Sequence, residues 1–185
     1  MLHPKIEVRK SKIQGTGIFA TEYIKQGEVV WHETPEEQER QYLVPVDVVK
    51  SWPEESQQEY LRYAYQVGEN MYSGRKHNKP EDPADYTNHS CDANTWFVHD
   101  HTMTARRDIL PGEEVTYDYA TSEVDENFLM ACGCGAANCR KIVRGTDHLL
   151  PEVQAAYGEH MMQHALQSIA AQRKRHAHAP LKVEE

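Results

Sequence analysis

Long apolar runs are missing from this 185-residue chain. Nowhere do the ~18 consecutive apolar residues of a membrane-spanning helix occur, which excludes that class, predicts no membrane partner and points to a soluble protein. No apolar leader follows Met1-Leu2-His3-Pro4-Lys5, so a reducing, intracellular setting is expected. Positive charge is also scarce: 20 Lys and Arg stand against 29 Asp and Glu, for a formal charge of −9. Phosphate backbones reward cations, so direct nucleic-acid binding is disfavoured. A basic partner such as a Lys/Arg-rich peptide is favoured instead. Taken singly, the acidic runs at Glu33–Glu39, Glu54–Glu59, Glu81–Asp85 and Glu113–Glu126 are equally well explained as solvated faces.

Cysteine is sparse but ordered. The four residues are Cys91, inside Asn88-His89-Ser90-Cys91, and the cluster Cys132-x-Cys134-x4-Cys139. Three readings are open: one tetrahedral zinc site consuming all four thiolates, two disulfides, or four buried thiols. Cys132 and Cys134 are too close in sequence to bridge easily. Gly133 and Gly135 suit a knuckle that bends backbone around a metal, which favours zinc. A metal there would tie a C-terminal segment back onto the Asn88–Cys91 loop.

A composition of 39% hydrophobic residues is enough for one core without disulfide staples. Alternation and turn residues predict strands near Ile6–Arg9, Glu28–Trp31, Thr95–Val98, Met103–Arg106 and Val115–Tyr119. Between Trp52 and Tyr65 the pattern is helical, with Pro53 at its start and Tyr60, Leu61 and Ala64 on one face; residues 73–85 read as a polar loop. The fold class is β-rich α+β. From Pro151 to Arg173, Val153, Tyr157, Met161, Ala165 and Ile169 recur every four residues and predict one C-terminal amphipathic helix over 148–175. Its stripe covers either its own domain or a partner helix, which leaves dimerisation open. His160 and His164 lack a carboxylate motif for metal binding, and 176–185 read as a disordered tail.

Gly15-Thr16-Gly17-Ile18-Phe19-Ala20 lacks the third glycine of a dinucleotide fingerprint and the lysine of a phosphate loop. Such a bend also lets backbone approach an adenosine-type ligand. Tyr117-Asp118-Tyr119 alone reads as core aromatics on a strand. In combination the order is informative: Gly-x-Gly-Ile-Phe-Ala, then Asn88-His89-Ser90-Cys91-x-x-Asn94, then Arg107-Asp108-Ile109-x-x-Gly112-Glu113-Glu114-Val115-Thr116-Tyr117-Asp118-Tyr119, then Cys-x-Cys-x4-Cys. From about Ile6 to Arg140 this resembles the SET-domain protein lysine methyltransferases with a post-SET zinc segment.

The resemblance implies small curved β-sheets around a knot-like (pseudoknot) core, with the Asn88–Cys91 segment threaded beside the strand carrying Tyr119. It implies a SET domain over 5–120 with a variable insert at about 33–66 that shapes a peptide groove, and a post-SET zinc segment over 121–147. It implies methyl transfer from S-adenosyl-L-methionine to a lysine of a basic protein or peptide, such as a histone tail. Gly15, Thr16, Gly17, Asn88, His89 and Tyr119 would hold the cofactor. Tyr119 would be the catalytic tyrosine, with Tyr117 and Tyr63 beside it, and Tyr65 competes with Tyr63 for that place. Cys91, Cys132, Cys134 and Cys139 would hold one structural Zn2+. A tyrosine rather than phenylalanine at 117 implies mainly monomethylation. Relatives often carry Arg-Phe-Ile where this chain has Asp85-Tyr86-Thr87, so a buried arginine contact is expected to be missing; Ala93 replaces a usual proline. The alternative is a zinc-stabilised, catalytically silent SET-like interaction module.

Overall fold

Alternating side chains and glycine turns set the first strands. In the computed structural model, which describes residues 1–75, 77 and 79–177, β1 (Ile6–Lys10) and β2 (Thr16–Ala20) form an antiparallel hairpin, followed by β3 (Val29–His32). The 33–75 region holds α1 (Pro35–Gln38), β4 (Tyr42–Pro45), α2 (Val46–Ser51), α3 (Glu54–Leu61), β5 (Tyr65–Gly68) and β6 (Met71–Gly74). Then come β7 (Asn88–His89), β8 (Thr95–His99), β9 (Thr102–Ala105) and β10 (Glu114–Tyr117). The C-terminal part contributes β11 (Leu129–Ala131), β12 (Ile142–Arg144), α4 (Pro151–Tyr157) and α5 (Gln163–Ala177).

Four small sheets result, ordered β1-β2-β10-β7, β3-β9-β8, β4-β6-β5 and β11-β12. In the first, β10 runs antiparallel to β2 and parallel to β7, with Thr116 opposite Asn88 and Tyr117 opposite His89. This pairing threads the Asn88–Cys91 segment against the strand that ends at Tyr117. Asn94, 1% exposed, fixes it: its Nδ2 donates to Glu114 O (2.8 Å) and its Oδ1 accepts from Thr116 N (2.9 Å). Ile18 of β2, Val30 of β3, Ala105 of β9, Val115 of β10 and Ile109 from the loop before β10 are buried in one cluster. A second, Phe97, Met103, Tyr117 and Met162, lies against Tyr65 and Tyr119.

Three expectations change. The strand carrying Tyr117 stops there, and Tyr119 opens a 3-10 turn (Tyr119–Thr121). Asp118 ends the strand because its carboxylate accepts from Ala120 N (3.0 Å) and caps the turn. The helix expected between Trp52 and Tyr65 is shorter, Pro53 standing at its N-cap. The single C-terminal helix is two: Gly158, at φ +55°, closes α4, and α5 starts five residues later. All five stripe residues are nonetheless buried together with Ala120, so the chain's own core covers the stripe, not a second copy. His160 stacks on Trp96 (3.7 Å) and His164 donates to Ser122 O (2.5 Å), so neither serves a metal among the described residues. The segment after Ala177, expected as a disordered tail, lies outside the described residues. Among those described, no helix is long and apolar enough to cross a membrane.

Candidate active site

The Gly15–Gly17 bend is held by a latch from β10. Glu114 accepts from Ser11 Oγ (2.8 Å) and from Asn88 Nδ2 (2.8 Å), and the same amide nitrogen donates to Gln14 O (3.1 Å) and Thr16 O (3.0 Å). A Cβ at 17 would run into Glu114 Oε1 and Asn88 Nδ2, so any larger residue there would have to push this latch aside. Gly15 takes a φ of +48°, and nothing lies within 4 Å of where its Cβ would be, so that stretch of backbone faces open space.

His89, 3% exposed, sits under the turn that carries Tyr119. Its Nδ1 accepts from Tyr119 N (3.1 Å), which leaves Nε2 as the protonated nitrogen facing Cys91 Sγ at 3.3 Å. Burial holds the ring neutral and pushes its pKa down to about 4, although Asp118 pulls the other way. Tyr119 donates its hydroxyl to Thr87 O (3.0 Å), and burial lifts its pKa well above 10. Its ring lies 4.8 Å from that of Tyr117, which packs edge-on to Phe97 (5.7 Å).

Gln14, Gly15, Thr16, Asn88, Tyr65, Tyr117 and Tyr119 line one cavity of about 1130 Å³, whereas Gly17 and His89 do not line it. Tyr63 also lines it, packed edge-on against Tyr86 (6.1 Å), whereas Tyr65 joins the Tyr117 cluster. Of the two competing tyrosines, Tyr65 is therefore the one packed with Tyr117 and Tyr119. Seven lining residues carry carboxylates and four carry cationic side chains. A smaller cavity of about 20 Å³ adjoins it between Gln14, His89, Tyr119, Met130 and Cys132.

The four cysteine sulfurs all lie within 4.8 Å of one another, with Cys91–Cys132 at 3.9 Å and Cys132–Cys139 at 3.7 Å. A tetrahedron of thiolates with Zn–S of ~2.3 Å has edges of about 3.8 Å, so the donor set fits zinc. Burial raises the Cys91 thiol to about 11 and raises Cys132 as well, the cost a bound cation removes. No disulfide forms, since all four are free. Arg140, next to Cys139, forks onto Asp118 (2.6 and 2.8 Å) and donates Nε–H to Asp147 (2.8 Å). Asp118 is fully buried.

A model of the SET domain matches residues 15–120. The chain belongs to the SET-domain family. Histone-lysine N-methyltransferase trr of Drosophila melanogaster is 33% identical over 156 residues, and ATX2, a histone-lysine N-methyltransferase of Arabidopsis thaliana, is 32% identical over 152. These matches take in 74% and 75% of this chain but only 6% and 13% of the relatives, so the chain spans a small part of their length. A crystal structure of KRYPTONITE in complex with mCHG DNA and SAH shares the SET fold, with a TM-score of 0.53 and 22% identity over 76% of this chain and 29% of that one. Asp85, in the segment where an arginine contact is expected to be missing, accepts two hydrogen bonds from Arg75 (2.7 and 2.9 Å), the residue that follows β6. Ala93, where proline is usual, is fully buried, and its carbonyl accepts from Arg106 (3.1 Å). Sequence reasoning missed Ser11 and Arg140, whose partners Glu114 and Asp118 are distant in the chain. It quoted Asn94 and Glu114 only as parts of motifs.

Proposed function

We propose that this chain is an S-adenosylmethionine-dependent protein-lysine N-methyltransferase acting on a basic protein such as a histone and adding mainly one methyl group. The observation that carries the reading is the single cavity joining the Gly15–Thr16 and Asn88 backbone latch to the paired rings of Tyr117 and Tyr119. In this reading Gly15, Thr16, Gly17, Asn88 and His89 hold the cofactor, Cys91, Cys132, Cys134 and Cys139 hold one structural zinc, and a SET domain over 5–120 is followed by a zinc segment over 121–147.

The cofactor supplies an electrophilic methyl group on a cationic sulfur. The protein must deliver an uncharged amine, and holding a lysine neutral at pH 7 costs about 4.6 kcal/mol from its reference pKa. Tyr65, Tyr117 and Tyr119 wall the amine off from water, and desolvation disfavours ammonium. Their ring faces attract the incoming cation, contributing about 0.5–2 kcal/mol. Because the Tyr119 hydroxyl spends its proton on Thr87 O, its lone pairs are left to accept weak C–H contacts that aim a polarised methyl. The excess of carboxylates around the cavity suits a Lys/Arg-rich substrate.

The test is calorimetry with S-adenosylmethionine, followed by labelled-methyl transfer to core histones with Tyr119→Phe as control. Binding plus labelling that the variant loses at least about a hundredfold supports the reading. A folded, zinc-loaded protein that binds no cofactor overturns it.

A further inference from the structure

We propose that Glu123 is the proton acceptor for the substrate amine, its carboxylate taking the proton of the incoming lysine ammonium at the wall of the tyrosine-lined cavity. The proposal rests on the methyltransferase reading above and deepens it.

Glu123 lines the cavity yet is only 3% exposed. One oxygen, Oε1, accepts from Gln66 N (3.1 Å); the other, Oε2, is buried and without a partner among the described residues. Gln66 is itself fully buried and accepts with its side-chain oxygen from Val124 N (2.5 Å) and Asp125 N (2.9 Å), which ties β5 to the backbone just after the glutamate. Glu123 N in turn donates to Tyr119 O (2.8 Å), so the carboxyl and the tyrosine sit on one turn.

A buried carboxyl oxygen with no donor costs stability that an apolar residue of similar size would not. Nearby cations do not relieve it: Lys50 is committed to Asp125 (2.7 Å) and Arg75 to Asp85 (2.7 Å). The missing donor is of the kind a primary ammonium brings. The groups facing Glu123 are Tyr72 on β6, Tyr117 on β10, Tyr119 on the 3-10 turn and Asp125 beyond it, with His164 of α5 bonded to the neighbouring Ser122 carbonyl. Burial raises all three phenols and the glutamate's charge adds to it; Glu123 lines the same cavity as the rings that would frame the amine.

The step balances. An N–H bond of the ammonium breaks, its electron pair stays on nitrogen, and an O–H bond forms on Glu123; one positive and one negative group become two neutral ones, and the proton returns to solvent when product leaves. Burial pushes the carboxyl up to about 8, near the range into which the same surroundings lower a lysine, so transfer between them is nearly balanced at neutral pH.

The experiment compares the pH profile of labelled-methyl transfer to core histones for wild type, Glu123→Gln and Glu123→Asp, each first shown to be folded by circular dichroism. Wild-type kcat/KM should rise to about pH 8 and level off, following the carboxyl. The Gln variant should lose at least about tenfold at pH 7.5 and recover most of it by pH 10, where the amine ionises unaided. The Asp variant should restore part of the plateau. If Gln at 123 prevents folding, the Asp variant alone decides, since moving the carboxyl must shift the break in the profile. Parallel profiles, or no loss, overturn the role of Glu123 while leaving the enzyme reading intact. Absence of labelling by wild type at every pH removes both.

Discussion

Replacing Arg140 with methionine removes a cation that bridges two buried carboxylates. Asp118 is fully buried and the Asp147 side chain is 5% exposed, while the guanidinium, 13% exposed, spans them with three hydrogen bonds of 2.6–2.8 Å. Methionine fills much of the same volume but leaves both anions without their partner. Breaking a buried pair from one side costs about 3–5 kcal/mol. For a chain of this size each kcal/mol lowers the melting temperature by about 2–4 °C, so Arg140→Met should melt about 6–20 °C below wild type. Thermal unfolding by circular dichroism at pH 7 measures this, with zinc content determined in parallel so that loss of metal is not mistaken for loss of the pair. Adding Asp118→Asn should recover part of the loss, with a coupling energy of about 1–3 kcal/mol. A melting point within about 2 °C of wild type, at equal zinc content, refutes the reasoning.

Elemental analysis should find one zinc per chain, and Cys139→Ser should lower both that figure and thermal stability; equal metal content in the two proteins counts against the four-thiolate site. Gly145→Ala should cost about 2 kcal/mol or more in urea unfolding, because the added carbon would stand 1.8 Å from the backbone oxygen of Asp125, which has no side-chain freedom to yield. Glu123 carries a folded pKa of about 8 against an ordinary 4.5, so its contribution is fully present below 4.5 and is lost as pH rises through 8. Glu123→Gln should therefore gain on wild type by a few kcal/mol between pH 5 and 9, read from urea midpoints at those two pH values. Tyr117→Phe should shift histone products toward higher methylation in mass spectra, since a phenol hydroxyl beside the amine occupies space that a second methyl needs.

Much of this fold is written locally. Ile6–Lys10 alternates, Gly27 and Gly112 adopt the positive φ of turns, and the strands near 29, 95, 102 and 114 begin within a residue of where alternation places them. The 33–75 region is less legible because local preference and packing disagree there. Val46, Val48 and Val49 favour strand, yet form α2 so that Val46 and Val49 can pack on Tyr60 and Tyr72. The four-residue stripe identifies the right C-terminal contacts but not the break at Gly158, since Met161 joins the same cluster across the turn. The acidic run Glu113–Glu126 reads as solvent-facing, and its burial at Asp118 and Glu123 follows only from long-range partners, Arg140 and Gln66.

The same long-range partners make metal and active site one unit. The segment carrying Cys132, Cys134 and Cys139 has little apolar packing of its own: Leu129 of β11 is 67% exposed and Ile142 of β12 is 37% exposed. Beside the buried Val143 of β12 and the Asn138 bond to Cys91 O (2.9 Å), the sulfur cluster and two polar links join it to the Tyr119 turn. One runs from Cys91 Sγ through the His89 ring to Tyr119 N, the other from Arg140 to Asp118, the residue just before Tyr119. Met130 and Cys132, on the same segment, close the small cavity beside Gln14 and Tyr119. A zinc ion held by the four thiolates would thus set the position of a tyrosine it does not touch, and stripping such a metal should loosen the cofactor wall and the amine channel together rather than in turn.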